Sequence, residues 1–178
     1  LPLIEHGHLD YGENKVQEAM EKWLKIKSNF KNLNLHMIGK LQTNKVKQAV
    51  QIFDYIHSLD SVKLAKKISN EQNKNKKKLK IFIQVNVGNE TQKSGIRFED
   101  LKEFYKICVE DFKLDIIGLM CLPPIGNEPT IYFKKMLEAS KMLSLDHLSM
   151  GMSSDYMSAV KYNASYLRIG SKIFGNRN

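Results

Sequence analysis

The 178-residue chain carries 28 Lys+Arg against 19 Asp+Glu, a formal net charge of +9, and 42% of its residues are hydrophobic. That composition excludes an intrinsically disordered chain and provides for one core, and no apolar run reaches the roughly 18 residues of a helical membrane span. Cys108 and Cys121 have neither metal-ligand spacing nor the density of a disulfide scaffold, and no secretory segment opens the chain, so the expected setting is a reducing cytoplasm.

In chain order, residues 1–6 read as helical, and residues 10–12 end a strand before a helix over 15–27. The apolar run 35–38 (LHMI) precedes a helix-compatible stretch at 44–52, and 55–59 precedes a helix at 61–72, where Asp60 or Ser61 can cap. The clearest strand is 80–87 (KIFIQVNV), followed by a helix at 97–110. The pairs 114–119 with 128–143 and 148–150 with 154–162 come next, and a last strand spans 166–169. About seven strand–helix units without a composition break make one domain over residues 1–178, a parallel sheet covered by helices. Pattern alone leaves closed barrel and open sheet as alternatives. A complete (β/α)8 barrel has eight strands, so the chain is one unit short; it begins at Leu1 without an initiating Met, and an N-terminal piece is expected to be missing.

The positive charge is a lysine bias spread along the chain, with arginine only at Arg97, Arg168 and Arg177. Its densest patch, residues 73–80 (NKNKKKLK), lies between a helical pattern and a strand and reads as a solvated loop. A nucleic-acid-binding module is an alternative, but no groove-reading motif accompanies the lysines, and no nucleic acid is expected as a partner.

Chemistry concentrates near the C-terminus. Residues 148–155 (LSMGMSSD) place Gly151, Ser153 and Ser154 between a strand and a helix. Alone this favours a helix cap, but glycine also lets backbone approach an anion while helix N-terminal amides point at it. Residues 167–175 (LRIGSKIFG) repeat the arrangement one unit later with Gly170 and Ser171, and residues 171–174 could be the short extra helix that often completes a barrel phosphate site. Two adjacent units then converge on one phosphate. Arg168, two residues before Gly170, would project near the mouth; its plainer role is a rim salt bridge.

Further forward, residues 11–19 (YGENKVQEA) put Glu13 and Asn14 where a strand gives way to a helix, so Asn14 caps it or meets a ligand. Residues 35–47 (LHMIGKLQTNKVK) offer His36, Lys40, Gln42 and Asn44, with His36 placed as a packed core histidine. Lys93 and Ser94 form another polar loop in residues 90–98 (ETQKSGIRF). Polar loops after every strand, gathered at one face, suit a ligand-binding barrel.

The segments YGENKVQEA, HMIGKLQTNKVK, IHSLDS, IQVNVGNETQKSG, GLMCLPP, LSMGMSSD and LRIGSKIFG, together and in this order, resemble the pyridoxal-phosphate homeostasis protein family. The resemblance implies an α/β fold, a (β/α)8 TIM barrel of the alanine racemase N-terminal-domain type, here lacking the first strand–helix unit. It implies a binder of pyridoxal 5′-phosphate without established catalysis, a carrier or regulator of cofactor supply, monomeric, with cofactor-dependent apoenzymes as recipients. Carried over by motif, Met152, Ser153, Gly170 and Ser171 would hold the phosphate, Arg168 would face the pyridine nitrogen, and Asn14 would line the ring side. The family's Schiff-base lysine is expected upstream of Leu1; Lys40 is a secondary candidate, otherwise a solvated loop lysine. A racemase or lyase using the same cofactor on this barrel is the alternative, and it would need a positioned acid–base pair.

Overall fold

The computed structural model describes residues 2–175; Leu1 and residues 176–178, with Arg177 among them, lie outside the described residues. The strands are β1 (Asp10–Glu13), β2 (Asn34–Met37), β3 (Tyr55–Leu59), β4 (Lys80–Val85), β5 (Asp115–Cys121), β6 (His147–Met152) and β7 (Tyr166–Arg168). The helices are α1 (Pro2–Glu5), α2 (Val16–Asn29), α3 (Val46–Ile52), α4 (Val62–Asn75), α5 (Phe98–Lys106), α6 (Pro129–Met142), α7 (Tyr156–Lys161) and α8 (Ser171–Phe174), with a 3₁₀ turn at Thr43–Lys45 leading into α3.

Local chemistry accounts for these elements. In α2 the apolar residues Val16, Ala19 and Trp23 recur at helical spacing and are buried. Ser61 begins α4 by accepting the Leu64 N–H at 3.3 Å, as expected, and the helix ends at Lys76 in the left-handed region with φ 50°. At the start of α6, Glu128 accepts the Thr130 N–H at 3.3 Å, and Pro129 occupies a first-turn position where its missing N–H costs nothing. Helix α7 begins at Tyr156, later than residue 154. The Met152 N–H donates to Asp155 Oδ1 at 2.7 Å and the Asp155 N–H to the Met152 carbonyl at 3.1 Å, so the two serines are held in a turn.

All neighbouring strands pair in parallel, in the order β1-β2-β3-β4-β5-β6-β7. A flat sheet would put β2 and β7 five strand spacings, ~24 Å, apart. Instead the rings of His36 on β2 and Tyr166 on β7 lie 5.8 Å apart. Curling has therefore brought the two flanks together into a nearly closed barrel, a (β/α)8-type architecture with seven strands among the described residues.

Closure divides the side chains into two layers. Alternate residues of β3 illustrate it: Ile56 joins the large core between sheet and helices, with Leu35, Met37, Ile81 and Phe133, while Tyr55 joins Phe82 and Met120 in a smaller cluster inside the barrel. His57 shares that inner face, stacked on Phe82 with ring centroids 4.3 Å apart. Each fully buried Leu, Ile or Phe of the outer layer contributes about 1.5–3 kcal/mol, and this layer holds the strand ends in place.

Candidate functional site at the barrel mouth

Because every strand runs the same way, the loops after β1 to β7 collect at one end of the barrel. At the end of β6 the chain must turn immediately against α7. Gly151 makes that turn with φ +91°, and a Cβ there would lie 2.7 Å from Ala159 Cβ and 3.1 Å from Tyr156 Cα. Only glycine fits both the dihedral and the space.

The turn delivers Ser153 to the start of α8. Its Oγ accepts the backbone N–H of Gly170 at 3.3 Å and that of Lys172 at 3.5 Å. Lys172 Nζ in turn lies 4.6 Å from the centre of the Tyr156 ring, so α8 is tied to α7. Met152, Ser153, Gly170 and Ser171 thus meet at one exposed spot, where two backbone donors converge on a single oxygen. The Met152 N–H is taken by Asp155 here.

Arg168 stands beside this spot on the inner face of β7, half-buried. Its Nη1 donates to Ser149 Oγ at 2.8 Å and its Nη2 to the Cys121 carbonyl at 2.8 Å. No rim salt bridge to Arg168 occurs among the described residues. Burial presses its pKa down, and the negative charge of Asp155 is among the groups pulling it back up. A guanidinium begins so far above neutrality that it stays charged.

Asn14 sits across the mouth, after β1. It does not cap α2, whose N-cap is Lys15 without a side-chain bond. Instead it lines a cavity of about 240 Å³ with Met37, Lys40, Gln42 and Lys45. Gly39 makes this possible, since a Cβ there would lie 2.3 Å from the Asn14 carbonyl oxygen. Lys40 also faces Asp60: burial pushes that carboxyl's pKa up and the Lys40 ammonium pulls it down.

Other polar candidates are drawn elsewhere. Asn44 lines a separate groove of about 390 Å³ with Lys63, Lys66 and Lys67 of α4. Lys93 pairs with Glu90 at 2.7 Å, and the Ser94 carbonyl accepts from Gln84 Nε2 at 3.1 Å, so their loop is folded on itself. Glu13 points outward, accepting from Lys22 Nζ and Trp23 Nε1 at 2.7 Å each. Cys108 and Cys121 are free, and burial pushes both thiols up to about 12, which removes nucleophilic thiolate at neutral pH. No His, Cys, Asp or Glu cluster among the described residues could hold a metal ion, and no helix among them is long and apolar enough to cross a membrane.

His36 is buried, as its place within a strand implied. The sequence reading missed its inner-face companions His57, Ser149 and Tyr166. Their one signal is a polar or hydroxyl-bearing side chain at an alternate position of an otherwise apolar strand.

A parallel barrel with donors converging at its last two loops and an inward arginine defines a protein of the alanine racemase N-terminal-domain class, and the model of the family described as "Alanine racemase, N-terminal domain" matches residues 1–178. A pyridoxal phosphate homeostasis protein of Aquifex aeolicus (strain VF5) is 40% identical over 176 residues, covering 94% of this chain and 76% of its own length. PipY of Synechococcus elongatus PCC7942, solved without PLP, superposes with a TM-score of 0.90 at 32% identity, over 98% of this chain and 85% of that one. Solved with PLP bound, PipY gives a TM-score of 0.87 with the same identity and coverage. The chain belongs to the pyridoxal phosphate homeostasis protein family.

Proposed function

We propose that this chain holds pyridoxal 5′-phosphate at the barrel mouth and serves cofactor supply. The observation that carries this reading is the convergence of the Gly170 and Lys172 amides on the Ser153 hydroxyl, with the Arg168 cation beside it. The residues fit the group. An oxygen already occupies the point at which two backbone donors meet, and a phosphate oxygen asks for the same donors. That PipY is a relative solved with PLP bound supports the reading.

In this arrangement Ser153, Gly170 and Ser171 hold the phosphate, joined by the Met152 N–H once Asp155 Oδ1 releases it, Arg168 faces the pyridine nitrogen, and Asn14 lines the ring side. Pyridoxal phosphate supplies an aldehyde that combines with amines and a ring that draws electrons from them. Arg168 can only donate and keeps its charge, so it discourages protonation of a ring nitrogen beside it and weakens the ring as an electron sink. The buried imidazoles of His36 and His57, which could serve acid–base chemistry, are engaged with one another at 2.9 Å. Binding without turnover follows, in one barrel domain acting as a cytoplasmic monomer that passes cofactor to dependent apoenzymes.

The test is an absorbance titration of the protein with pyridoxal phosphate, with borohydride trapping and peptide mass mapping of any labelled lysine. Incubation with amino acids while α-proton exchange is followed completes it. Retained cofactor without exchange is the expected result. Exchange at enzymatic rates would replace it with the racemase or lyase alternative, and no retained cofactor would reduce the likeness to fold.

A further inference from the structure

The inner face of the barrel carries a chain of hydrogen bonds that cofactor binding, as described above, does not use. Arg168 Nη1 donates to Ser149 Oγ at 2.8 Å, Ser149 Oγ lies 2.8 Å from His57 Nδ1, His57 Nε2 lies 2.9 Å from His36 Nδ1, and His36 Nε2 lies 3.0 Å from Asp10 Oδ1. The five residues come from β7, β6, β3, β2 and β1. They cross the barrel from its mouth, where β7 ends, to its floor, where β1 begins. Ser149, His57 and His36 are 0%, 1% and 4% exposed, while Arg168 at one end is half-buried and Asp10 at the other is exposed.

The two ends fix where every proton sits. A carboxylate only accepts, so His36 carries its proton on Nε2, toward Asp10. A neutral His36 then accepts at Nδ1, which requires His57 to donate from Nε2. A neutral His57 accepts at Nδ1, so the Ser149 hydroxyl donates to it, and the lone pairs of Ser149 Oγ remain for Arg168, which has only donors. Every bond of the chain points from Arg168 toward Asp10, and the Ser149 hydroxyl and both ring N–H groups each meet an acceptor.

The surroundings keep both rings neutral. His57 is faced by His36 on β2, Arg168 and Tyr166 on β7, Ser149 on β6, Phe82 on β4 and Tyr55 on its own strand. Burial first, then repulsion from any proton placed on His36 and from the Arg168 cation, hold its pKa well below 6.5. His36 is faced by Asp10, Asp54, Lys27, Tyr55, Tyr166 and His57; burial lowers its pKa, and its bond to Asp10 opposes this only in part. An added proton on His36 would set N–H against N–H toward His57 or reverse both the His36–His57 and the His57–Ser149 bonds, and one on His57 would turn Ser149 from donor to acceptor on that side.

We propose that Ser149, His57, His36 and Asp10 form a one-way hydrogen-bond relay that positions the Arg168 guanidinium for the ring nitrogen of the bound cofactor. These are positioning residues acting through Arg168, and the proposal rests on the cofactor reading of the mouth.

The relay is tested first in the ligand-free protein by ¹⁵N NMR of the imidazole nitrogens. Both His36 and His57 should be neutral, protonated at Nε2, and should not titrate through pH 6.5. Asp10→Leu, at an accessible position, removes the terminal acceptor and should give mixed tautomers, whereas Asp10→Asn, whose amide oxygen can still accept, should restore the single form. Protonation of either ring at Nδ1, titration of either near 6.5, or single tautomers retained in Asp10→Leu would overturn the relay. Its purpose is tested by retention of pyridoxal phosphate against its 1-deaza analogue, which has carbon in place of the ring nitrogen. Ser149→Ala should weaken the first about tenfold and the second less than about twofold, as loss of support for a charge-assisted hydrogen bond requires. Equal losses would overturn the positioning role. If the unaltered protein retains neither compound, the cofactor reading and the positioning role that rests on it fall together, while the nitrogen spectra still decide whether the relay itself exists.

Discussion

Ser153 Oγ accepts the backbone N–H of Gly170 at 3.3 Å across 17 residues of sequence, joining the last two strand–helix units at a single oxygen atom. In Ser153→Ala that oxygen is gone and the Gly170 and Lys172 amides turn to water. The fold should lose little, since the site is exposed. Retention of pyridoxal phosphate should fall about tenfold, near the value of a charge-assisted hydrogen bond, because the Ser153 O–H that donates to a phosphate oxygen is lost, with pyridoxal itself far less affected. Ser171→Ala should show the same bias. Parallel titrations with the two ligands decide the matter, and equal losses would remove the phosphate contact.

Gly170→Ala separates fold from ligand. Nothing lies within 4 Å of a Cβ built at Gly170, and its φ of −118° is open to alanine. The ligand-free melting midpoint should therefore hold, within about 0.5 kcal/mol of stability. Phosphate affinity should drop if the ligand approaches the backbone there, which equilibrium dialysis would read. A large loss of stability would show that the loop is packed more tightly than it stands here.

Arg168→Leu removes the donors to Ser149 and to the Cys121 carbonyl together with the cation. Weaker retention of pyridoxal phosphate is expected, with a shift in the absorbance of bound cofactor toward that of a protonated ring. Unchanged affinity together with an unchanged spectrum would strip Arg168 of its assigned role.

Acid should destabilise the barrel through its interior. The pKa values of His36 and His57 are lowered from 6.5 in the folded chain, so below about pH 6.5 the unfolded chain binds protons that the native one refuses. Their contribution is complete above that pH and is lost as pH falls below it. Thermal melts between pH 7.5 and 5 should show a falling midpoint, and His57→Phe should fall less steeply from its own starting value. Identical slopes would mean that His57 is not buried neutral.

Gly39→Ala should be costly for a reason of contact alone. Its Cβ would meet Asn14 backbone atoms at 2.3 and 2.8 Å, which have no flexible end to yield. A loss of about 1–3 kcal/mol is expected from such overpacking, with Asn14 displaced from its cavity. Chemical denaturation and amide chemical shifts around Asn14 would check both effects.

Much was legible in the chain itself. Alternation of apolar runs with helical periods placed the seven strands, and the sequence around Gly151, Ser153, Gly170 and Ser171 marked the two loops that meet at the barrel mouth, because turn chemistry and helix capping are local and depend on residues a few positions apart. Element ends were less legible where a side chain intervened, as Asp155 does in delaying α7. The inner face was not legible. Whether His57, Ser149 and Tyr166 meet depends on how far the sheet curls and on register, including the shift between Ser149 and Met152 where β6 pairs with β7. His57 and Ser149 are 92 residues apart in sequence and 2.8 Å apart in space. No local propensity encodes that distance; closure of the barrel decides it, since only closure turns alternate strand positions toward one shared axis.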